Sequence, residues 1–369
     1  MRIAFALLLL VHGLIHGLGF AKPFGLGKSQ EIHAKITPAG GVVWLVAGLL
    51  FLAGAGALFA LPEWWWAITL PAVVLSEVAI VGAWSDAKLG TLVNVLVLLP
   101  SLVGLIDAAP SGLRASYTAA VQARQLSGPE GAPITEADLA QVPPLVQKYL
   151  RFAGVLGTPP VRSFHARFRG EIRSAPDSDW MSFTADQHNY FEPPARLFLI
   201  DASRFGVPFV GLHSFTGAGA TMKVRVLSLL TVVDGSGPEM NKSETVTMLN
   251  DMCLLAPATL LSPNVRFEEA GAHTVKAHLT HAGNTVSALL FFDDTGALIN
   301  FVSDDRYQSA DGKVFKAYRW STPVHGYRDY QGRKLAEFGE ASWRMPDGEL
   351  SYGRFQLLEV HYNGQGPPR

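Results

Sequence analysis

The chain has 369 residues, of which 17% are charged and 49% hydrophobic, and its formal net charge is -1. Soluble domains carry about 25% charged residues, so this composition predicts that part of the chain lies outside water. A charge this close to zero, without a basic stripe, argues against a nucleic-acid-binding surface. The single cysteine, Cys253, excludes an intrachain disulfide and any multi-cysteine metal site. Its apolar neighbours indicate a buried small side chain.

Four apolar segments fill the first third of the chain: residues 3–20, 42–61, 67–83 and 91–108. Each is close to the roughly 17–25 residues that cross a bilayer as a helix. The first segment also resembles the apolar part of a signal peptide, but no small-x-small cleavage site follows it and three more segments do, so we expect it to be retained. The fold class predicted for residues 1–110 is therefore a bundle of four transmembrane α-helices.

The basic residues that flank these segments give a small bias for orientation. An even number of spans places the N-terminus and the C-terminal part on one side, which carries Arg2, Arg114 and Arg124, whereas the other side carries four lysines. The positive-inside rule then favours cytoplasmic loops and an extracytoplasmic C-terminal domain. The location that we expect is the bacterial inner membrane.

The character of the sequence changes after residues 111–133, a predicted linker that contains the stretch SGPEGAP. Two short helical segments begin the part from 134 to 369. Strand-like segments follow, several of them with alternating apolar and polar residues, and turn sequences such as DDTG, YQGRK and PDGE separate them. The helical segment PEMNKSETVTMLNDMCLLAPATLL interrupts the strands. This pattern predicts an α+β domain with a curved, mainly antiparallel sheet and helices packed on it.

Two histidines in the first apolar segment are the first candidate site. His12 and His16 lie four residues apart and so share a helix face. Gly13 and Gly17 lie beside them at the G-x-x-x-G spacing, which lets a second helix approach closely. The sequence therefore places both imidazoles next to a helix–helix contact.

Other polar residues fall at a similar depth. At a rise of about 1.5 Å per residue, Glu77 and Asn94 lie in the same half of the membrane as the histidines, and Asp86 and Lys88 follow on that side beyond the spans. Ionisable residues within spans usually face a partner or a cavity. The cluster is either a polar clamp between helices or a site for protons or a small ligand. Metal or haem would need a further ligand on a facing helix, so we predict no metal and no cofactor.

The C-terminal part lacks the G-x-S-x-G elbow, the phosphate-binding loop, the H-E-x-x-H motif and the dinucleotide fingerprint of common enzymes. Alternation along its strands instead predicts an apolar sheet face, which forms a ligand groove where helices leave it uncovered. Glu244 and Asp251 can share a helix face, and the sequence favours solvated surface charge for them. The alternative is that Glu244 points into this groove from the helical segment as a buried carboxylate. The apolar groove candidates are Leu197, Leu199, Val224, Val226, Leu289 and Phe291.

Several stretches resemble a known family. The sequences PPLVQKYLRFAG, GATMKVRVLSLLTVVD and LLAPATLLSP are similar to an uncharacterised bacterial domain-of-unknown-function family, and VHGLIHGLGFAKPFG and WSDAKLGTLVN resemble the four-span region that some members carry. This resemblance brings no established activity. The predicted architecture is also similar to the half-barrel of periplasmic lipoprotein carriers, which hold acyl chains in an apolar concavity. Four spans and no cleavable signal depart from those carriers and favour tethered binding over shuttling.

Together these observations predict a membrane-tethered protein whose β-rich domain binds a lipid or another apolar small molecule. They indicate no nucleic-acid partner and identify no protein partner. A membrane enzyme or redox protein that uses His12, His16 and Glu77 to handle protons is one alternative. A structural or sensory interaction module is the other. The absence of a catalytic signature favours a binding protein over an enzyme.

Overall fold

The computed structural model describes residues 2–26, 33–124, 131–217 and 219–364. The chain divides into two compact units, Met1–Ala115 and Ser116–Arg369. This division falls within helix α6, Leu113–Gln122, which occupies part of the predicted linker. Residues 125–130 of that linker lie outside the described residues.

The described residues of the N-terminal unit are mainly helical. Four helices are long and apolar enough to cross a membrane, which confirms the four predicted apolar helices. Along the chain, each of the first three packs against the next of these long helices. The helices are α1 (Arg2–Phe24), α2 (Pro38–Ala60), α3 (Trp65–Gly82) and α5 (Leu89–Ala108), with the short α4 (Trp84–Ala87) before α5.

Glycines set the close contact between α1 and α2. A Cβ atom on Gly13 would lie 2.9 Å from the carbonyl oxygen of Gly48, and one on Gly48 would lie 2.8 Å from that of Gly13. The ring of Trp44 fills the space beside Gly19, where a Cβ atom would collide with it. Gly17 faces open space instead. The predicted close approach between α1 and α2 therefore exists at Gly13. The second glycine in the contact is Gly19, which packs against the ring of Trp44, and not Gly17.

The C-terminal unit begins with the short helices α7 (Glu136–Leu139) and α8 (Pro144–Phe152). Between the strands lie α9 (Pro238–Leu254) and a 3₁₀ helix (Pro257–Leu261). The strands before α9 are β1 (Ser163–Ile172), β2 (Met181–Phe191), β3 (Pro194–Arg204), β4 (Val207–Thr216), β5 (Gly219–Val226) and β6 (Leu230–Ser236). Those after it are β7 (Val265–Gly271), β8 (Thr274–His281), β9 (Asn284–Phe292), β10 (Leu298–Ser303), β11 (Tyr307–Gln308), β12 (Lys316–Ala317), β13 (Arg319–Ser321), β14 (Val324–Tyr330), β15 (Arg333–Met345) and β16 (Gly348–Tyr362).

Fourteen of the strands form one antiparallel sheet in the described part of the chain. Its order is β6-β5-β4-β3-β2-β1-β16-β15-β13-β10-β9-β8-β7, and β14 pairs with β15. The sheet is not closed into a barrel, because β6 and β7 are its two edges. Helix α9 connects these edges and contacts strands near both of them, including β5, β6, β8 and β9. The predicted large antiparallel sheet with a packed helix is confirmed.

The core of the unit lies between α9 and the inner face of the sheet. Twelve of the seventeen residues of α9 are buried, including polar ones. Two tyrosines fix its C-terminal end, since the hydroxyl of Tyr149 donates to the carbonyl of Cys253 and that of Tyr362 to the carbonyl of Leu255, both at 2.5 Å. Burial raises the pKa of the Cys253 thiol. This cysteine is a small core residue, as its neighbours in the sequence predict.

Candidate functional site

A cavity of about 380 Å³ lies between α9 and the inner face of the sheet. Small-molecule sites typically enclose about 300–1,000 Å³, so the cavity is large enough for a ligand. Apolar side chains form most of its wall, on one side from the first five strands and on the other from β15 and β16. They include Phe168, Ile172, Met181, Phe198, Ile200, Met222, Val224, Ala341, Phe355 and Leu357.

Alternate residues of strand β3 face the cavity. Phe198 and Ile200 line it, as do Arg196 and Ala202. Side chains alternate between the two faces of a strand, so Leu197 and Leu199 point to the opposite face, where both are buried. The sequence RLFLID is apolar on both faces of this strand, and its pattern therefore could not select the face that lines the cavity.

The other apolar candidates are distributed in a similar way. Val224 lines the cavity, and Val226 follows it on β5, paired with Phe209, which also lines it. Leu289 and Phe291 are half-buried and alternate with core residues of β9. They therefore lie on the outer face of the sheet. Of the six apolar groove candidates, Val224 thus lies in the cavity wall and Val226 lies beside it, whereas the other four lie on the opposite face of the sheet.

An arginine forms the centre of a polar cluster beside the cavity. Arg196 Nε donates to Asp251 Oδ2 at 2.7 Å, and its Nη1 donates to Glu244 Oε2 at 3.2 Å. The side-chain amides of Gln187 and Asn189 also donate to Asp251 Oδ2, at 2.7 and 2.9 Å. Glu244 and Asp251 therefore share one face of α9, as the sequence predicts, and attach that face to β2 and β3.

Glu244 is buried rather than solvated, with 1% of its side chain exposed. His213 Nδ1 donates to its Oε1 at 3.3 Å, and Arg306 Nη2 approaches the same atom to 4.0 Å. Burial raises the pKa of Glu244, but Arg196, His213 and Arg306 outweigh it and lower the pKa to about 2. The prediction that Glu244 is a solvated surface carboxylate is therefore wrong.

The pKa of Asp251 shifts in the opposite direction to that of Glu244, although both carboxylates belong to the same cluster. Burial raises its pKa by more than Arg196 and Asn189 lower it, and the negative charge of Glu244 raises it further. Two carboxylates that share one helix face thus differ in their affinity for a proton. Glu244 holds its negative charge at neutral pH, and Asp251 ionises less readily.

A second arginine lines the cavity next to this cluster. The guanidinium of Arg306 lies 4.0 Å from the ring centre of Trp320, and its Nη1 donates to the hydroxyl of Tyr352 at 3.2 Å. Trp320 Nε1 donates to the same hydroxyl at 3.1 Å. Local patterns in the sequence did not indicate Arg196, His213 and Arg306, because the partners of these residues are far away in the chain. The available signal was a single arginine at the start of an apolar strand, in the stretch RLFLI.

A second cavity, of about 600 Å³, lies near other residues of α9. Its wall includes Met248, Met252 and His281 and contains more polar surface. It also includes Ala132 and Pro133, which come shortly after residues 125–130, outside the described part. The first cavity is the candidate site, because described residues surround it and its wall is mainly apolar.

The polar residues predicted in the N-terminal unit form a hydrogen-bonded chain. His12 Nε2 donates to Asn94 Oδ1 at 3.0 Å, and Asn94 Nδ2 donates to Glu77 Oε2 at 2.8 Å. The hydroxyl of Thr91 donates to Glu77 Oε1 at 2.8 Å. Asn94 therefore lies between Glu77 and His12 and forms a hydrogen bond with each of them.

His16 has separate partners on α1 and α3. Its Nδ1 lies 2.7 Å from the carbonyl oxygen of His12, which can only accept, so Nδ1 carries a hydrogen. Its Nε2 lies 2.9 Å from the hydroxyl of Ser76, which donates to a neutral imidazole. Together the two histidines link α1 to α3 and α5.

Asp86 and Lys88 do not take part in the hydrogen bonds that join His12, Asn94 and Glu77. Asp86 accepts from the backbone N–H of Ala34 at 2.8 Å and from His33 Nδ1 at 3.3 Å, so it fixes the segment before α2. Hydrogen bonds from Ser85 and Ala34 lower the pKa of Asp86 to about 2. Lys88 is exposed just before α5. Among the described residues, no group of three or more His, Cys, Asp or Glu side chains is placed to hold a metal ion.

A family model described as a family of unknown function, DUF6544, matches residues 132–355, more than half of the chain. The chain belongs to this family. The DUF6544 region contains α9, Arg196 and Arg306, and most of the cavity wall. The four apolar helices precede it. The candidate site is thus built almost entirely from the DUF6544 region.

Solved structures with a weak likeness to this DUF6544 chain include three bacterial proteins. A DUF1329 family protein from Desulfovibrio piger has 10% identity and a TM-score of 0.35, covering 64% of this chain and 96% of its own. A LolA superfamily protein from Nitrosomonas europaea has 10% identity and a TM-score of 0.33, covering 61% and 93%. Lipoprotein LppX from Mycobacterium tuberculosis has 15% identity and a TM-score of 0.20, covering 63% and 97%. At scores this low, neither fold nor ligand follows from them. No curated protein matches the chain.

Proposed function

We propose that the C-terminal unit binds a lipid or another apolar molecule in the cavity beneath α9, and that the four apolar helices tether it to the bacterial inner membrane. The observation that carries this proposal is a cavity of about 380 Å³ whose wall is mainly apolar. The small excess of lysines on the loop side supports an extracytoplasmic position for the binding unit.

The expected gain from apolar contact is comparable to the cost of association. Burial of one methylene group contributes about 0.8 kcal/mol, so ten methylenes of an acyl chain contribute roughly 8 kcal/mol. Association costs on the order of 4–15 kcal/mol. Apolar contact therefore offsets much of this cost, and a polar contact at one end of the ligand strengthens binding further.

A substitution that fills the cavity tests the proposal. Ala202 lines the cavity, whereas Ser203, the next residue on β3, is exposed. We expect the full-length Ala202→Trp variant, purified in mild detergent, to lose a lipid that co-purifies with the wild type in about 1:1 ratio. The matched Ser203→Trp variant should retain it. Both keep the four apolar helices, so lipid bound around those helices cancels in the comparison.

Mass spectrometry of the extracted lipids gives the readout. Equal lipid content in wild type and Ala202→Trp would contradict the proposal, provided that thermal unfolding shows both proteins to be folded. Loss of the lipid from both tryptophan variants would also contradict it, because an exposed position on the opposite face should not affect the cavity.

The hydrogen-bonded side chains of His12, Asn94 and Glu77 support a second candidate function, which is proton handling within the helix bundle. Its donors and acceptors are directional and link α1, α5 and α3 in series. Loss of activity at normal abundance in a His12→Leu variant would favour this function. Loss of the folded protein would favour the polar clamp.

A further inference from the structure

The side chains at the α9 end of the cavity have unequal capacity for further hydrogen bonds. Asp251 Oδ2 already accepts from Gln187, Asn189 and Arg196. Glu244 accepts from Arg196 and His213. Each carboxylate therefore already accepts from Arg196 and from at least one further donor, so its negative charge is compensated within the protein.

Arg306 is the group whose hydrogen-bonding capacity is not filled. Only 11% of its side chain is exposed, yet within the described part of the chain its Nε has no hydrogen-bond partner. Its Nη2 approaches Glu244 only to 4.0 Å, which is longer than a hydrogen bond. A buried cation with unfilled donors is costly, so the site favours a ligand that supplies an acceptor.

Aromatic rings fix the direction in which Arg306 can donate. Trp320 covers a face of the guanidinium at 4.0 Å, and Trp343 lies 5.4 Å from it. The N–H groups of a guanidinium point outward in its plane. The hydroxyl of Tyr352 holds Nη1 at 3.2 Å. Nε is fully buried, so Nη2, which forms no hydrogen bond with the described residues, is the donor that can meet a ligand oxygen in the cavity.

The charge balance of the cluster narrows the type of acceptor. Arg196 and Arg306 carry two positive formal charges and Glu244 and Asp251 carry two negative ones, so the formal charges of these four side chains cancel. An anionic head group would leave an uncompensated negative charge in a buried site, which costs several kcal/mol. A neutral oxygen acceptor, such as an ester carbonyl, accepts from Arg306 without this cost.

We infer that the cavity takes a neutral acyl ester, with its chain against the apolar wall and its carbonyl oxygen accepting from Arg306. This inference rests on the proposed function, since it specifies the class of ligand for the same cavity. It assigns Arg306 as the residue that selects the ligand class and leaves Arg196 as the residue that attaches α9 to the sheet.

Chain-matched ligands test the inference. The full-length protein is incubated in mild detergent with equimolar hexadecane, methyl hexadecanoate and sodium hexadecanoate, passed over a gel-filtration column, and the retained ligands are quantified. The same measurement on Ala202→Trp gives the background from micelles and membrane helices. We expect the wild type to retain the ester about tenfold over the hydrocarbon, the scale of a hydrogen bond to a charged group, and to retain the carboxylate less than the ester.

Two substitutions of Arg306 complete the test. Arg306→Met should retain ester and hydrocarbon equally, while total retention above background persists. Arg306→Lys, which keeps the positive charge and removes the planar group, should show an intermediate preference and guards against loss of fold in the first variant. An ester preference that both variants keep in full would overturn the inference.

The outcomes also separate this inference from the proposed function. Equal retention of all three ligands by the wild type, above the Ala202→Trp background, would overturn the inference and leave the proposed function standing. A preference for the carboxylate would overturn the argument from charge balance. Retention of no ligand above background would overturn the proposed function itself.

Discussion

Replacement of Arg196 by methionine should destabilise the C-terminal unit strongly. The guanidinium is buried and is an ion-pair partner of both Asp251 and Glu244, at 2.7 and 3.2 Å. Removing one partner of a buried ion pair typically costs about 3–5 kcal/mol, because it leaves a buried charge uncompensated. Each carboxylate keeps other donors, so we expect a loss in this range rather than twice as much.

Thermal unfolding of the full-length protein in mild detergent measures the effect. For a unit of this size, 1 kcal/mol shifts Tm by about 2–4 °C, so the expected decrease is about 6–20 °C. Arg204→Met is the matched control, since Arg204 lies on the same strand with 43% of its side chain exposed. Its Tm should change by about 1–2 °C at most, because exposed substitutions usually stay within about 0.5 kcal/mol.

A charge-balanced double variant distinguishes the loss of charge balance from the loss of packing. Arg196→Met combined with Asp251→Asn removes the arginine together with one carboxylate, so that Glu244 remains with Arg306, and should recover a large part of the lost Tm. A single variant with wild-type Tm would refute the reasoning. So would a double variant that is no more stable than the single one, because unpaired charge would then not be the cause.

Three further outcomes follow from the contacts of both units. Gly13→Ala should lower Tm in detergent, because its Cβ would lie 2.9 Å from a facing carbonyl oxygen, whereas Gly17→Ala should be neutral or stabilising because it meets open space. His12→Leu should cost about 0.6–2 kcal/mol, since it removes the donor to Asn94, and an unchanged Tm would contradict the clamp. Because the pKa of Glu244 is lowered to about 2, its ionisation stabilises the folded unit above its ordinary pKa of 4.5, and this contribution is lost as the pH falls towards 2. The wild-type Tm should therefore fall more steeply than that of Glu244→Gln between about pH 5 and pH 3, and parallel curves would contradict the assignment.

The elements of the fold follow closely from local patterns in the sequence. Four apolar segments predict the four long helices, and alternation predicts the antiparallel strands. The predicted helical segment, residues 238–261, contains α9 and the 3₁₀ helix that follows it. The shared helix face of Glu244 and Asp251 is also a local property, and both carboxylates contact Arg196.

The candidate site follows less well, because its geometry depends on contacts between distant segments. Strand β3 is apolar on both faces, so only the packed sheet shows that Phe198 rather than Leu197 lines the cavity. The pairing of Arg196 with Glu244 joins residues 48 positions apart. Asn94 lies between His12 and Glu77, and estimates of depth along each helix cannot give this order.

The length of α9 has a consequence for the shape of the sheet. Neighbouring strands of a sheet lie about 4.8 Å apart, so a closed barrel would bring β6 and β7 to this distance. The seventeen-residue helix between them is about 25 Å long and carries carboxylates bonded to the strands on its inner side. The polar contacts of α9 therefore hold it on the inner face of a sheet whose two edge strands are not paired with each other. Because no ladder of hydrogen bonds joins β6 to β7 in the described part of the chain, the distance between these edges can change with the curvature of the sheet while the other ladders stay intact.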